Sequence, residues 1–332
     1  MAATLTNLFW SLKPPSAHEG FFKAPTATSL FPPTKKEVDG EECEYDCATC
    51  TIKYPAKFSI DVDEKLYGHV NGWATHLVVA TGKTDWVRDV ADEKGSIMEA
   101  VEKAEKPKNG KLMLSASNMP LPDNAHEAED GSAPPSTVLL LPAFTLFDNI
   151  TPSNVPELIR TYINNAPTNT TPLHTQAPPS ASEPSIRSRP CPHNYLILLC
   201  SQKTRDARCG QSAPLLRREL ERHLRPLGLY RDLHDERPGG VGIYFISHVG
   251  GHKFSANMMV YRRAGSAGAV DDGGAEKDQE VNIEASQCIW LARIRPEDCE
   301  NIVRYTVLQG KVVKPEWQLR GGFDRGKRLV SW

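Results

Sequence analysis

The sequence predicts an α/β protein made of two copies of one strand–helix unit. Three observations carry that prediction. Apolar, β-branched runs alternate with stripes at helical spacing on both sides of the chain's middle. A proline-, serine- and threonine-rich stretch, residues 165–190, separates the two sides and has the composition of a linker. Finally, "LVVATGKTDW" and "LILLCSQKTRD" echo each other, each passing from an apolar strand into a polar loop with Lys-Thr. The 332 residues suit about two domains at roughly 150 residues each. The predicted boundaries are a disordered segment 1–40, a first unit 41–164, the linker 165–190 and a second unit 191–332.

In the first unit, "THLVVAT" (75–81) is β-branched and apolar, hence a strand. "GSIMEAVEKAEK" carries Ile97, Val101 and Ala104 at helical spacing. "KLMLSAS" (111–117) and "STVLLLPAF" (136–144) are buried strands, with an acidic, proline-containing insertion between them. "SNVPELIRTYIN" aligns Val155, Leu158, Ile159 and Tyr162 on one helical face. The second unit repeats the order. "NYLILLC" (194–200) is a strand, and "SAPLLRRELERHLRPLG" is a helix with stripe Leu216, Leu220, Leu224 and Leu227, Pro214 near its start and Gly228 past its end. "VGIYFIS" (241–247), "SANMMVYRR" (255–263) and "CIWLARIR" (288–295) are strands, with "GSAGAVDDGGAEKDQE" as a loop. A last helix starts at Pro296, and its stripe makes Cys299 a core thiol.

Composition excludes several functions. A net charge of −2 implies neither a nucleic-acid nor an anionic-membrane partner. No apolar run approaches the roughly 18 residues of a membrane span. Eight cysteines in so long a chain are too sparse for a disulfide scaffold and suit a reducing compartment with some thiols as ligands. "TGKT" lacks the upstream glycine of a phosphate loop.

The chemistry concentrates in the second unit. Cys200 closes its first strand, and Cys209 follows after eight intervening residues. His248 closes another strand, and "HVGGH" brings His252 four positions later on a glycine loop. If the two strands are parallel neighbours, both loops emerge at one sheet edge, where open α/β sheets build their sites. Two thiolates and two imidazoles would then converge as a metal site. Zinc accepts such a set, although the cysteines are farther apart than the usual two to four residues. A 2Fe–2S cluster, needing two ligands on each of two irons, suits two separate loops.

"CSQKTRDARCG", "HVGGHKFSAN" and the ending "RLVSW" resemble the sucrase/ferredoxin-like family, and "YGHVNGWATHLVVATGKTDWVRDV" extends the resemblance into the first unit. The resemblance implies two thioredoxin-like ferredoxin-type domains in tandem, the C-terminal one binding a cluster. It also implies that Cys200, Cys209, His248 and His252 hold a 2Fe–2S cluster, as in cluster-binding fungal members. Imidazoles replacing two thiolates would raise the reduction potential above an all-cysteine ferredoxin, and a ligating imidazole's second nitrogen allows proton coupling. Arg205, Arg208 and the following helix's N-terminus would favour the reduced form. Gly250 and Gly251 would let the backbone approach, and Asn257 would bond the loop. The implied function is electron transfer or thiol redox quality control rather than classical enzymology; no carboxylate pair supports glycoside hydrolysis. The alternatives are a zinc-stabilised interaction scaffold without a redox role and a thiol oxidoreductase using the N-terminal cysteines.

Those cysteines, Cys43, Cys47 and Cys50, are spaced C-x3-C-x2-C, the pattern of radical S-adenosylmethionine enzymes, but no clear strand precedes them and the repeats of a barrel are missing. They stand as auxiliary thiols, with an auxiliary metal site or a redox-active Cys47–Cys50 pair as the active readings. Cys191 and His193 suit structural roles, and His69 and His76 lack matching cysteines. The ending Val330-Ser331-Trp332 resembles a tripeptide by which clients engage iron–sulfur assembly machinery; a buried tryptophan is the plain alternative. The expected partners are a redox protein and that machinery. The start, acid-free before Glu19 but without arginine before Arg88, leaves mitochondrial and cytosolic locations open, with the mitochondrion preferred.

Overall fold

The computed structural model describes residues 20–123, 134–173, 186–266 and 283–332. Most of the acidic insertion, most of the loop after Gly265 and the centre of the 165–190 stretch lie outside the described residues. The fold is mixed α/β around one large mixed sheet. Its strands are β1 (Phe22–Lys23), β2 (Thr75–Ala80), β3 (Leu112–Ser117), β4 (Ser136–Leu141), β5 (Thr145–Ile150), β6 (Ser188–Pro190) and β7 (Tyr195–Cys200). They continue with β8 (Tyr230–Arg231), β9 (Val241–Ile246), β10 (Met258–Arg263), β11 (Ala285–Leu291), β12 (Leu319–Asp324) and β13 (Leu329–Val330). The order is β1-β13-β12-β11-β10-β7-β9-β3-β2-β4-β5-β6, with β8 beside β9.

Two sets of four strands share one pattern. β2 runs parallel to β3 and antiparallel to β4, which pairs antiparallel with β5. β7 runs parallel to β9 and antiparallel to β10, which pairs antiparallel with β11. The sets join through β3 and β9, antiparallel at Ser117–Ile246. Short polar side chains complete that junction: Ser117 Oγ donates to the Phe245 carbonyl at 2.9 Å, and the Phe245 N–H donates to Asn118 Oδ1 at 2.6 Å.

The sheet folds back on itself. His76 on β2 meets Tyr261 on β10 through Nδ1 at 3.0 Å, although the two strands are not neighbours in the sheet. Between the facing sets lies an apolar layer that includes Val78, Leu139, Leu196, Leu198, Met259 and Trp290. The opposite faces are covered by helices. Ile197 and Leu199 pack under the helix Ala207–Leu224, while Leu77 and Val79 pack with Ile97 and Leu158. Both faces of β7 are therefore buried, which is why "YLILLC" is continuously apolar instead of alternating. Cys299 is fully buried under that helix, as its stripe predicts.

Residues 20–40, expected to lack structure, are built. Thr26 caps the helix Ala27–Leu30 through a reciprocal bond with Ser29, and Leu30 and Phe31 enter the core. β1 pairs in parallel with β13. The proline-rich composition hides this, because the segment is held by a receiving surface rather than by its own propensity. Residues 41–67 likewise lie against the second strand set: the Cys47 N–H donates to the Glu297 carbonyl at 3.0 Å, and Tyr54 Oη donates to that of Ile294 at 2.7 Å. At the ends of the 165–190 stretch, Asn169 and Ile186 are buried and Ser188–Pro190 forms β6 against β5.

Two buried histidines set an acid limit on stability. His76 sits between Tyr261 and Ser115, and burial pushes its pKa down to about 3. Burial, with Arg231 nearby, takes His193 down to about 4. An unfolded histidine titrates near 6.5, so below that pH the unfolded chain binds protons the folded chain refuses. Stability is therefore complete above pH 6.5 and lost as the pH falls towards these lowered values. Urea unfolding should show a loss of up to about 1.4 kcal/mol per pH unit from each histidine between pH 6 and 5. His76→Gln should flatten that slope; an unchanged slope would contradict the assignment.

Candidate metal centre

The topology brings the four sequence-predicted residues together. β7 and β9 are parallel neighbours with Cys200 opposite Ile246, so Cys200 and His248 leave the sheet at one edge. Cys200 Sγ lies 3.9 Å from His248 Nδ1. Cys209 interacts with both Cys200 and His248, and its sulfur is 3.6 Å from Ser255 Oγ. The His248 and His252 ring centroids are 5.2 Å apart. Both thiols are buried, His248 is half-buried and His252 is exposed. The site thus has a sulfur end inside and an imidazole end at the surface.

Cys209 was expected on a loop but occupies the first turn of the helix Ala207–Leu224. The helix begins earlier than Pro214 suggests because Asp206 caps it, accepting from the Arg208 N–H. Pro214 consequently lies inside the helix. The turn packs so closely on Lys203 that a Cβ on Gly210 would meet the Lys203 Cβ at 2.6 Å. The helix N-terminus supports a thiolate at Cys209.

The two thiols are pushed in opposite directions. Cys200, His248 and Ser255 draw the Cys209 thiol down, while Cys209 and burial hold the Cys200 thiol up. Burial, and then His248, lowers His252. A thiolate beside an imidazole inclined to neutrality, that of His252, is the donor chemistry that a two-sulfur, two-nitrogen metal set needs.

Gln202, directly after the strand, holds the arrangement. Its Oε1 accepts from the His248 N–H at 2.8 Å and its Nε2 donates to the Val87 carbonyl at 2.5 Å. Thr204 donates twice to Asp85, through its N–H at 3.0 Å and its hydroxyl at 2.8 Å. The two echoed Lys-Thr loops therefore clamp each other. On the other side, Arg320 of β12 donates through Nη1 to the Gly250 carbonyl at 2.7 Å and to Asn257 Oδ1 at 3.1 Å. Asn257 Nδ2 bonds the Gly251 carbonyl at 3.0 Å, as expected of it. Gly250 and Gly251 have φ of 86° and 65°, and a Cβ on Gly251 would meet the Arg320 guanidinium at 2.5 Å. These glycines thus make room for arginine within the protein. Arg208 pairs with Asp206 at 2.8 Å, and Arg205 donates to the Arg88 carbonyl at 3.3 Å.

The sequence profile described as sucrase/ferredoxin-like matches residues 66–321, more than half of the chain. The chain belongs to the sucrase/ferredoxin-like family. It is 25% identical to actin patches distal protein 1 of Saccharomyces cerevisiae over 296 residues, 82% of each chain. It is 31% identical over 122 residues to altered inheritance of mitochondria protein 32 of Clavispora lusitaniae, covering 37% of this chain and 33% of that protein. The corresponding protein of Debaryomyces hansenii is 29% identical over 119 residues, covering 36% and 33%. The chain thus spans about a third of the length of these last two proteins. No solved structure matches.

In this sucrase/ferredoxin-like chain the remaining candidates lie elsewhere. Cys43 is buried in the turn Glu41–Glu44, and Cys47 and Cys50 lie against Glu219 and His223, towards the far end of the helix that bears Cys209. No closed parallel barrel surrounds them; the described sheet is open and mixed. His193 bonds Tyr244 at 3.1 Å, and Cys191 is buried. His69 lines an open groove with Trp73, Lys111, His248 and Arg320. Trp332 stacks on Trp73 at 4.5 Å between ring centroids. No helix of the described residues is long and apolar enough to cross a membrane.

Proposed function

We propose that this protein carries a bis-histidinyl 2Fe–2S cluster held by Cys200, Cys209, His248 and His252 and acts in electron transfer or thiol redox quality control. The observation that supports it most is the meeting of two buried thiols with the half-buried His248 and the exposed His252 beside the ends of adjacent parallel strands. In this reading the matched sets β3-β2-β4-β5 and β9-β7-β10-β11 are tandem thioredoxin-like ferredoxin-type units, and the first is a copy without ligands that supports the second through Asp85 and Val87. When bound, the cluster supplies one-electron chemistry. Cys200 and Cys209 hold the buried side as thiolates, and His248 and His252 hold the exposed side as neutral rings. The second ring nitrogen of each histidine is the place for a coupled proton. The exposed His252 edge is the side a redox partner would approach. The names of the relatives support a mitochondrial location. Recognition of Trp332 by assembly machinery would require the ring to leave Trp73.

Purified protein tests this. A brown colour that bleaches with dithionite, with about two irons and two sulfides per chain, is the expected result. Colourless, zinc-loaded protein would make the site a zinc scaffold instead. His248→Cys should keep a cluster and lower its potential by about 100 mV or more, because thiolate donates more charge than imidazole. An unchanged potential would remove His248 from the ligand set.

A further inference from the structure

Outside the proposed cluster site, one group of donors among the described residues has metal-site geometry. Cys47 Sγ lies 3.8 Å from His223 Nε2, which lies 3.3 Å from Glu219 Oε1. The three donor atoms all fall within 4.8 Å of one another. Bonds of about 2.3 Å to sulfur and about 2.0 Å to nitrogen or oxygen put the ligands of a tetrahedral zinc roughly 3.3–3.7 Å apart. Glu219 and His223 are four apart and share one helical face. Cys50 completes a C-x2-C pair with Cys47 and interacts with Glu219. Two cysteines of a short loop facing two donors on a helix is a structural zinc arrangement.

The group's polarity agrees. The Glu219 side chain is 1% exposed, and a buried carboxylate needs a cation. Arg222 supplies one: its Nη2 is 2.5 Å from Glu219 Oε1, 3.0 Å from His223 Nε2 and 3.4 Å from Cys47 Sγ. That nitrogen stands near where a metal would sit. The Arg222 side chain is 43% exposed, so it can swing into solvent when a smaller, doubly charged ion enters.

We propose that Cys47, Cys50, Glu219 and His223 form a structural zinc site that pins the N-terminal segment to the helix bearing Cys209. Zinc there joins Cys47 and Cys50 to Glu219 and His223, 169–176 positions further along the chain, closing a long loop. The site is independent of the cluster, because its donors are a different set at the other end of the helix.

The test is metal analysis of the full-length protein and of Cys47→Ser, His223→Gln and Cys200→Ser. About one zinc per chain is expected in wild type and in Cys200→Ser, with zinc lost and iron kept in the other two variants. Missing iron throughout, with zinc kept in Cys200→Ser but lost in Cys47→Ser and His223→Gln, would sink the cluster and leave this site standing. Chelator-treated wild type titrated with Co2+ should develop tetrahedral ligand-field bands and thiolate charge-transfer absorption, absent in Cys47→Ser and His223→Gln. A folded wild type that gives no such spectrum overturns the site, and Arg222 is then its permanent cation. A spectrum unchanged in folded Cys47→Ser and His223→Gln overturns it equally. If those variants unfold, the cobalt spectrum of Cys200→Ser, whose other two-thiol site is disabled, decides alone.

Discussion

Cys200→Ser should leave the protein colourless and reduce its iron and sulfide to background, and Cys209→Ser should do the same. A serine hydroxyl does not ionise near neutral pH, so it cannot replace the thiolate each iron bond needs. The fold should survive. Cys200 ends a strand whose register is set by Leu196–Leu199 on both faces, and Cys209 sits in a helix capped by Asp206. Burying one hydroxyl in place of a thiol costs about 1–3 kcal/mol. Cys47→Ser is the control and should keep its iron, because Cys47 contacts His223 and Arg222 and is absent from the Cys200–His248 group. Iron retained in Cys200→Ser but lost in Cys47→Ser would transfer the iron chemistry to the N-terminal cysteines.

Arg320→Met carries the second large effect. The guanidinium is buried against Trp290, 4.2 Å from the ring centroid, and donates to Gly250 and Asn257. Methionine fills similar space but leaves both acceptors without that donor, at about 1–3 kcal/mol each. The loss of the cation–π contact adds to this. The 248–252 loop, with two residues at positive φ, would lose this anchor and keep its bonds to Asn257, Gln202 and Ser255. Thermal unfolding should shift down by several degrees, and iron should leave faster during dialysis against a chelator. Arg320→Lys should rescue little, since an ammonium can neither reach both acceptors nor lie flat on the indole. A lysine variant with wild-type iron retention would show that the charge alone matters.

Much of the fold was legible where burial imposes a pattern. β2, β3, β4, β7, β9, β10 and β11 are apolar runs because a core covers them, and their boundaries fall close to the predicted ones. β12, "LRGGFD", was invisible for a physical reason. It is a fully buried strand made of an arginine, two glycines and an aspartate beside two apolar residues. A Cβ on Gly322 would come within 1.9 Å of the Cys288 carbonyl, so close strand packing, not hydrophobicity, selects its residues. Arg320 went unseen with it. The metal ligands were legible as types and spacings, because thiols and imidazoles at strand ends are chemically distinctive. Their supports were not: Gln202, Asp85 and Arg320 act across 46–119 residues of sequence, through contacts that no local pattern encodes. The N-terminal cysteines presented a spacing without a partner, and only the packing of residues 41–67 on the helix Ala207–Leu224 brings Glu219 and His223 to them.

Two-imidazole ligation is tested most directly by electron paramagnetic resonance of the dithionite-reduced protein with nitrogen hyperfine detection. The proposed ligand set predicts a reduced 2Fe–2S signal with two inequivalent, strongly coupled nitrogens, one of which disappears in His248→Cys. A reduced cluster signal without strong nitrogen coupling, or no cluster signal from folded, metal-loaded protein, would contradict it.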